Sequence, residues 1–425
     1  MIRSIELPER PSGDRLARQL AVRKAGRGPC PHYLSWSKLV GTLQSPTDRV
    51  GESEMRPIPS LSRSSRVVTA LAIALGAAAG MSATAAAASP PFLRTLPTQT
   101  VIGSTVPANG DINPYGIAVV PRAIGNLVKN DVLVSNFNAS SNLQGTGSTI
   151  VQISPQGATS VFATVTAADV PKCIGGVGLT TALVVLRSGW VIVGSLPTSD
   201  GTSATAMAGC LIVLDRWGHV TETIQGGPIN GPWDMTAWDR GDSPVLFVSN
   251  VLNGTVAANG NVVNRGTVVR INLADADSRM PRVVSERVIG SGFPERTDPG
   301  ALVIGPTGLA LDGMANLFVA DTLDNRVAVI PNAATRMTAP RMGMTVSAHN
   351  HLNQPLGLAL APNGDILAVN AADGNAVEIT PAGRQVAVRL LDSTGAGTLF
   401  GLAVAPGGHG LYFVDDGSNN LQLLH

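Results

Sequence analysis

From Gln354 to Leu391 the chain alternates apolar runs with turn residues: GLALA, Pro-Asn-Gly-Asp, ILAVN, Ala-Asp-Gly-Asn, AVEIT, Pro-Ala-Gly-Arg and QVAVRLL. Short apolar runs bounded by Gly, Pro, Asn and Asp read as strands joined by tight turns, so this stretch predicts a four-stranded antiparallel meander. The pattern is not unique in the chain. QPLGLALAPNGDILAVN, Gln354 to Asn370, lies without a gap over GPTGLALDGMANLFVAD, Gly305 to Asp321. Further copies begin with NPYGIAVVP at Asn113, whose second strand ends in DVLVSN, with the degenerate TTALVVLRSGWVIVGS, with GPWDMTAW leading into VLFVSN, and with FGLAVAPGGHGLYFVDD. That makes six units.

A lone four-stranded sheet cannot bury both faces, whereas six of them at a period of about 50 residues can do so by stacking radially. The fold class expected is therefore all-β, a six-bladed β-propeller of four-stranded antiparallel blades. A small residue recurs in each first strand, at Gly116, Ala182, Gly308, Gly357 and Gly401, where the blades crowd toward the axis. The third unit places Asp234 there instead. The last unit ends one strand short at His425, and the spare apolar stretch FLRTLPTQTVI, Phe92 to Ile102, is placed to supply it by pairing with Leu421 to Leu424. Closure by the two termini removes open sheet edges.

LFVADTLDNRVAVI, Leu317 to Ile330, with its lead-in Pro306-Thr307-Gly308-Leu309-Ala310, resembles the signature of NHL-repeat proteins. The resemblance is strong in the last three units and weak in the second and third. It implies a six-bladed propeller over about residues 92 to 425 and says little about activity, because this fold hosts unrelated functions.

Ahead of the repeats, RSSRVVTALAIALGAAAGMSATAAAASP, Arg63 to Pro90, has a basic start, an apolar run and small residues ending in Ala-Ala-Ala-Ser. This is the layout of a signal peptide cleaved near Ala88, and its apolar run is shorter than the ~20 residues that span a bilayer. Residues 1–62 are expected to be a disordered or misassigned N-terminal extension, with Met55 a sensible start, residues 63–88 the signal peptide, and 89–425 the propeller. The expected location is extracytoplasmic, periplasmic or secreted, with no membrane span after cleavage.

Charge narrows the partners. Residues 1–88 hold 12 of the 30 Lys and Arg and 6 of the 29 Asp and Glu, which leaves the remainder at a net −5. A mildly acidic body without a basic cluster does not suit nucleic acid, which requires concentrated positive charge. The expected partner is a small molecule or a protein, with the chain itself monomeric. Export also bears on the two cysteines of this region, Cys173 and Cys210, since a thiol pair outside the cytoplasm usually oxidises; a disulfide between them is one reading and two separate buried thiols the other.

Aligning the units puts Asn136, Ser195, Asn250, Asp321, Asn370 and Asp415 at equivalent ends of the second strands, on the face that also carries the links between blades. Two readings follow: a polar ring at the channel mouth that binds a ligand or holds Ca²⁺ or another hard divalent ion, or six turn caps bonded to their own backbone. Links from second to third strand are long in the first three units, NASSNLQGTGST, LPTSDGTSATAMAG and VLNGTVAANGNVVNRG, and either form a binding lip or, in the third, merely extend a hairpin with Asn-Gly turns. His349 and His351 in SAHNHLNQP are candidate metal ligands, with Asp321 or Asn370 as a third donor, against a solvated loop pair. No other cofactor is indicated.

Similar propellers include gluconolactonase-type metal-dependent lactonases, virginiamycin B lyase and the peptidyl-hydroxyglycine lyase, whose sites need Glu or His sets around the axis. Here Asn230 stands before Gly231-Pro232-Trp233 where the lactonase acid is expected, and Glu222, Glu286, Glu295 and Glu378 fall off the expected channel. Asp234, Asp321 and Asp415 are the acid/base candidates. No GxSxG elbow occurs. The balance favours a binding module acting through the channel face, with a metal-dependent lyase or hydrolase as the alternative.

Overall fold

The computed structural model describes residues 90–425 apart from Ser278 and Ala396; the expected extension and signal peptide lie outside the described residues. Six antiparallel sheets succeed one another along the chain. Their inner strands, in order, are Ile112–Val119, Leu179–Val185, Pro232–Trp238, Pro306–Leu311, Pro355–Leu360 and Leu399–Val404. Each inner strand packs on that of the next blade, and the sixth packs back on the first, so the ring is closed and the fold is a six-bladed β-propeller.

Closure uses both ends of the described chain. Gln99–Ser104 forms the outermost strand of the sixth blade and pairs antiparallel with Asn420–Leu424, Gln99 opposite Leu424 and Gly103 opposite Leu421. The front of the stretch expected to form this strand does something else. Phe92–Thr95 is one turn of 3₁₀ helix whose Phe92 and Leu93 are buried. With Leu96 they join a core cluster shared by the fifth and sixth blades. Buried Glu378 accepts the Phe92 N–H at 2.6 Å and the Leu93 N–H at 2.8 Å, which satisfies backbone donors that would otherwise be stranded in the core.

The inner glycines act as steric spacers. A Cβ on Gly401 would stand 2.5 Å from the Tyr115 carbonyl oxygen and 2.7 Å from Ile117 Cγ2 of the first blade, so a side chain there would push two inner strands apart.

The third blade departs from the expected four strands. Val263–Ala274 and Arg282–Asp298 form a long hairpin, and a fifth strand, Leu302–Ile304, folds back on the end of the latter with Arg296 opposite Ile304. The long link of this unit thus extends a hairpin, after one short helical turn at Thr255–Ala258.

Cys173 and Cys210 form a disulfide with Cα atoms 5.7 Å apart. It ties the link entering the second blade to the start of that blade's third strand. Closing 37 residues is worth about 4 kcal/mol in the chain-entropy picture. A Cys173→Ser/Cys210→Ser protein is therefore expected to unfold at clearly lower denaturant, and an unchanged urea midpoint would remove the disulfide from the stability account.

Candidate functional site: a one-ended axial cavity

Every inner strand begins near the face that carries the blade-to-blade links and runs toward the face of the inner-to-second-strand turns. At the starting end the axis is filled. Tyr115 stacks between Phe137 and Phe400, with ring centroids at 4.4 and 3.8 Å. Trp233 lies 6.5 Å from Phe400; these residues belong to the third and sixth blades, opposite each other in the ring, so their rings meet on the axis. Leu356, Leu302 and Val303 complete the same apolar cluster. The Trp233 indole N–H donates to the Val303 carbonyl at 3.2 Å, which holds the extra hairpin over the plug. Burial holds the Tyr115 hydroxyl well above the usual phenol range.

The long links add cover on this face. Thr198 donates to the Gln144 carbonyl, Gln144 to that of Pro299 and Ser203 to that of Asp298, so the first two long links are bonded to each other and to the hairpin. Glu295 accepts the backbone and side-chain N–H groups of Asn253 at 3.1 and 3.2 Å, fixing the third, and its burial pushes it up to about 7.

The six aligned polar residues sit within this closed region, all buried. None lines an open mouth. Asn136 donates to the Thr105 carbonyl, Ser195 to that of Gly176 and Asn370 to that of His351. Asn250 accepts the N–H groups of Asn230 and Gly231. Each of these four holds the segment entering its own blade. Asp321 accepts from Arg326 Nε at 2.8 Å, and Asp415 accepts from Ser418 and Gln422 at 2.7 Å. Four of the six thus cap the links entering their own blades and the two Asp are held by side chains of their own blade, while Asn136 Oδ1, Asn250 Nδ2 and Asp321 Oδ1 are left without a partner.

Nor do the proposed metal ligands converge. Among the described residues no group of three or more His, Cys, Asp or Glu side chains is placed to hold a metal ion. His349 and His351 are exposed and border separate grooves, His349 beside Asp324 and Arg341, His351 beside Arg384 and Gln385. Asp321 is engaged by Arg326, and Asn370 bonds Asp373 and the His351 carbonyl.

Beyond the plug the axis opens. The ends of the inner strands pass from buried to half-buried, and a cavity of about 350 Å³ lies among them, with walls drawn from all six blades. An inner strand has one edge without a neighbouring strand, and here that edge faces the cavity. The lining residues are Ile, Leu, Val, Ala, Met and Gly, with Thr181, Thr236, Asp234 and Asp239 as the polar side chains.

Asp234 stands just past the plug residue Trp233, at the position that is Gly or Ala in the other five blades. Its two oxygens accept the Met235 N–H and, across the blade boundary, the Leu309 N–H, both at 2.8 Å. Burial outweighs these bonds and pushes its carboxyl up to about 7, because taking a charge out of water disfavours the ionised form. Thr181 presents a buried hydroxyl without a hydrogen-bond partner. Asp239, nearer the rim, is occupied by the N–H groups of Arg187 and Gly241. Sequence reasoning found Asp234 as an exception in the repeat but missed the plug, although Tyr115, Trp233, Leu356 and Phe400 all occupy the place one residue before the spacer.

No protein-family model matches this chain, and no curated protein matches it. Solved structures similar in backbone include a virginiamycin B lyase from Staphylococcus aureus, 16% identical over 77% of this chain and 84% of that one with a TM-score of 0.44. Another is a gluconolactonase from Xanthomonas campestris, 12% identical over 75% and 87% with a TM-score of 0.46. A third is the PQQ-bound aldose sugar dehydrogenase from Streptomyces coelicolor, 16% identical over 77% and 98% with a TM-score of 0.45.

Proposed function

We propose that this protein is an exported propeller that binds a small organic molecule in its axial cavity, entering from the face of the inner-to-second-strand turns. The observation that carries this reading is the asymmetry of the axis, filled by Tyr115, Trp233 and Phe400 at one end and open beside Thr236 and Leu360 at the other. A volume of about 350 Å³ falls at the lower end of small-molecule sites. The rigid ring is suited to such a role, because its walls are held by blade packing and little ordering is required on binding. Export is supported by the disulfide and by the leader-like composition of residues 63–88. The sequence-level alternative of a metal-assisted hydrolase or lyase lacks a gathered ligand set among the described residues, so no reaction is assigned.

Calorimetric titration with cyclohexylmethanol, a neutral probe with an apolar body and one hydroxyl, tests the cavity. Binding is expected to the native protein and to be lost in Thr236→Trp, where a half-buried wall residue is replaced by one that fills the opening. Equal binding by both proteins, or none by the native one, overturns the reading.

A further inference from the structure

Of the residues that line the axial cavity, two are acidic and none is Lys, Arg or His. A cleft lined by one sign of charge focuses its field and favours ligands of the opposite sign. The two acids are not equivalent. Asp239 is half-buried near the opening, whereas Asp234 is buried at the closed end, and in both each oxygen accepts a single backbone N–H. A carboxylate oxygen has two lone pairs, so each retains acceptor capacity toward the cavity.

The donor and acceptor balance at the closed end points the same way. Met235 N–H and Leu309 N–H are spent on Asp234. The Thr181 hydroxyl, 3% exposed, has no partner within the protein, and an unpaired buried hydroxyl is a costly feature unless something else completes it. An ammonium group has three donors and no acceptor, which suits a carboxylate and an unpartnered hydroxyl in one lining. Farther out the lining mixes strand backbone with Leu183, Leu358 and Leu402. A Ca²⁺ ion would find there one carboxylate whose oxygens already accept two N–H groups, too few hard oxygen ligands for its usual six to eight.

We infer that the axial cavity is a site for a small organic amine, bound head-first with its ammonium group at Asp234 and Thr181 and its carbon body toward the opening. The inference rests on the cavity reading above and specifies the ligand class. It makes Asp234 a specificity residue, a role that explains why one blade alone departs from the small spacer used by the other five.

The test compares cyclohexylmethylamine with cyclohexylmethanol, which match in shape and differ in charge, by calorimetry near pH 8, about one unit above the Asp234 titration. The native protein is expected to bind the amine roughly tenfold to a hundredfold more tightly, the range of a hydrogen bond to a charged group. In Asp234→Asn that preference should vanish while alcohol binding persists, and Thr181→Val should reduce it in part. Alcohol binding without amine preference, or an amine preference that survives in Asp234→Asn, overturns the amine inference and leaves the cavity reading standing. Failure of both probes overturns both. Circular dichroism melts of each variant confirm that the compared proteins are folded.

Discussion

A chain begun at Thr105 is expected to lose cooperative unfolding and to associate, whereas one begun at Pro90 melts as a single folded monomer. The shorter chain lacks the strand Gln99–Ser104 and so exposes the edge of Asn420–Leu424, a template for pairing with other chains. It also lacks Phe92, Leu93 and Leu96, all buried in the cluster between the fifth and sixth blades. At roughly 1.5–3 kcal/mol per buried large apolar side chain, their loss approaches the whole of a domain's usual 5–15 kcal/mol. Glu378→Ala gives a milder form of the same failure. The strand remains, but the Phe92 and Leu93 N–H groups lose their acceptor, at about 1–3 kcal/mol for each buried donor. Thermal melts with size-exclusion chromatography read both effects. Should the Thr105 chain stay monomeric with an unaltered melt, terminal closure does not hold the ring.

Stability is expected to fall as the pH is raised from about 4 to about 7, the opposite of acid denaturation. Burial pushes Asp234, Glu295 and Asp416 up to about 7, with the neighbouring Asp415 adding to the rise at Asp416. In the unfolded chain each titrates near the ordinary carboxylate value of about 4. Between those limits the native state holds protons that the unfolded state has released, so the unfolded state binds fewer and the slope of unfolding free energy with pH is negative. Below about 4 both states are protonated and the contribution is constant; above about 7 the native carboxyls ionise in the core and the full penalty stands. For Asp234, enclosed on the axis, the slope is about 1.4 kcal/mol per pH unit while the difference persists. Urea unfolding at a series of pH values measures it. Asp234→Asn should flatten the slope between about pH 5 and 7 by that amount, and parallel curves for the two proteins would show that Asp234 titrates normally.

The blades were legible because their causes are local. Alternating apolar runs with Pro-Asn-Gly-Asp and Pro-Ala-Gly-Arg turns fix strands and hairpins within about 40 residues, and six such units can bury their faces only by stacking into a closed array. Even the long-range pairing of Gln99–Ser104 with Asn420–Leu424 followed from a count, since one unit was a strand short and one strand had no unit. The spacer glycines were legible for the same reason, each repeating at a fixed place in a local pattern.

The site was not legible in that way. Aligned Asn, Ser and Asp residues shared a face, but whether they opened to solvent or were roofed depended on the hairpin Arg296–Ile304 and on three links that bond to one another across blades. Trp233 and Phe400 meet on the axis only because the ring sets the third blade opposite the sixth, a relation no local pattern encodes. The sequence by itself determined the units, their number and the join between the ends, all consequences of hydrophobic period and turn chemistry. Tertiary structure alone decided which end of the axis is filled and that Asp234 stands at the floor of the open one, because side chains distant along the chain compete there for the same small volume.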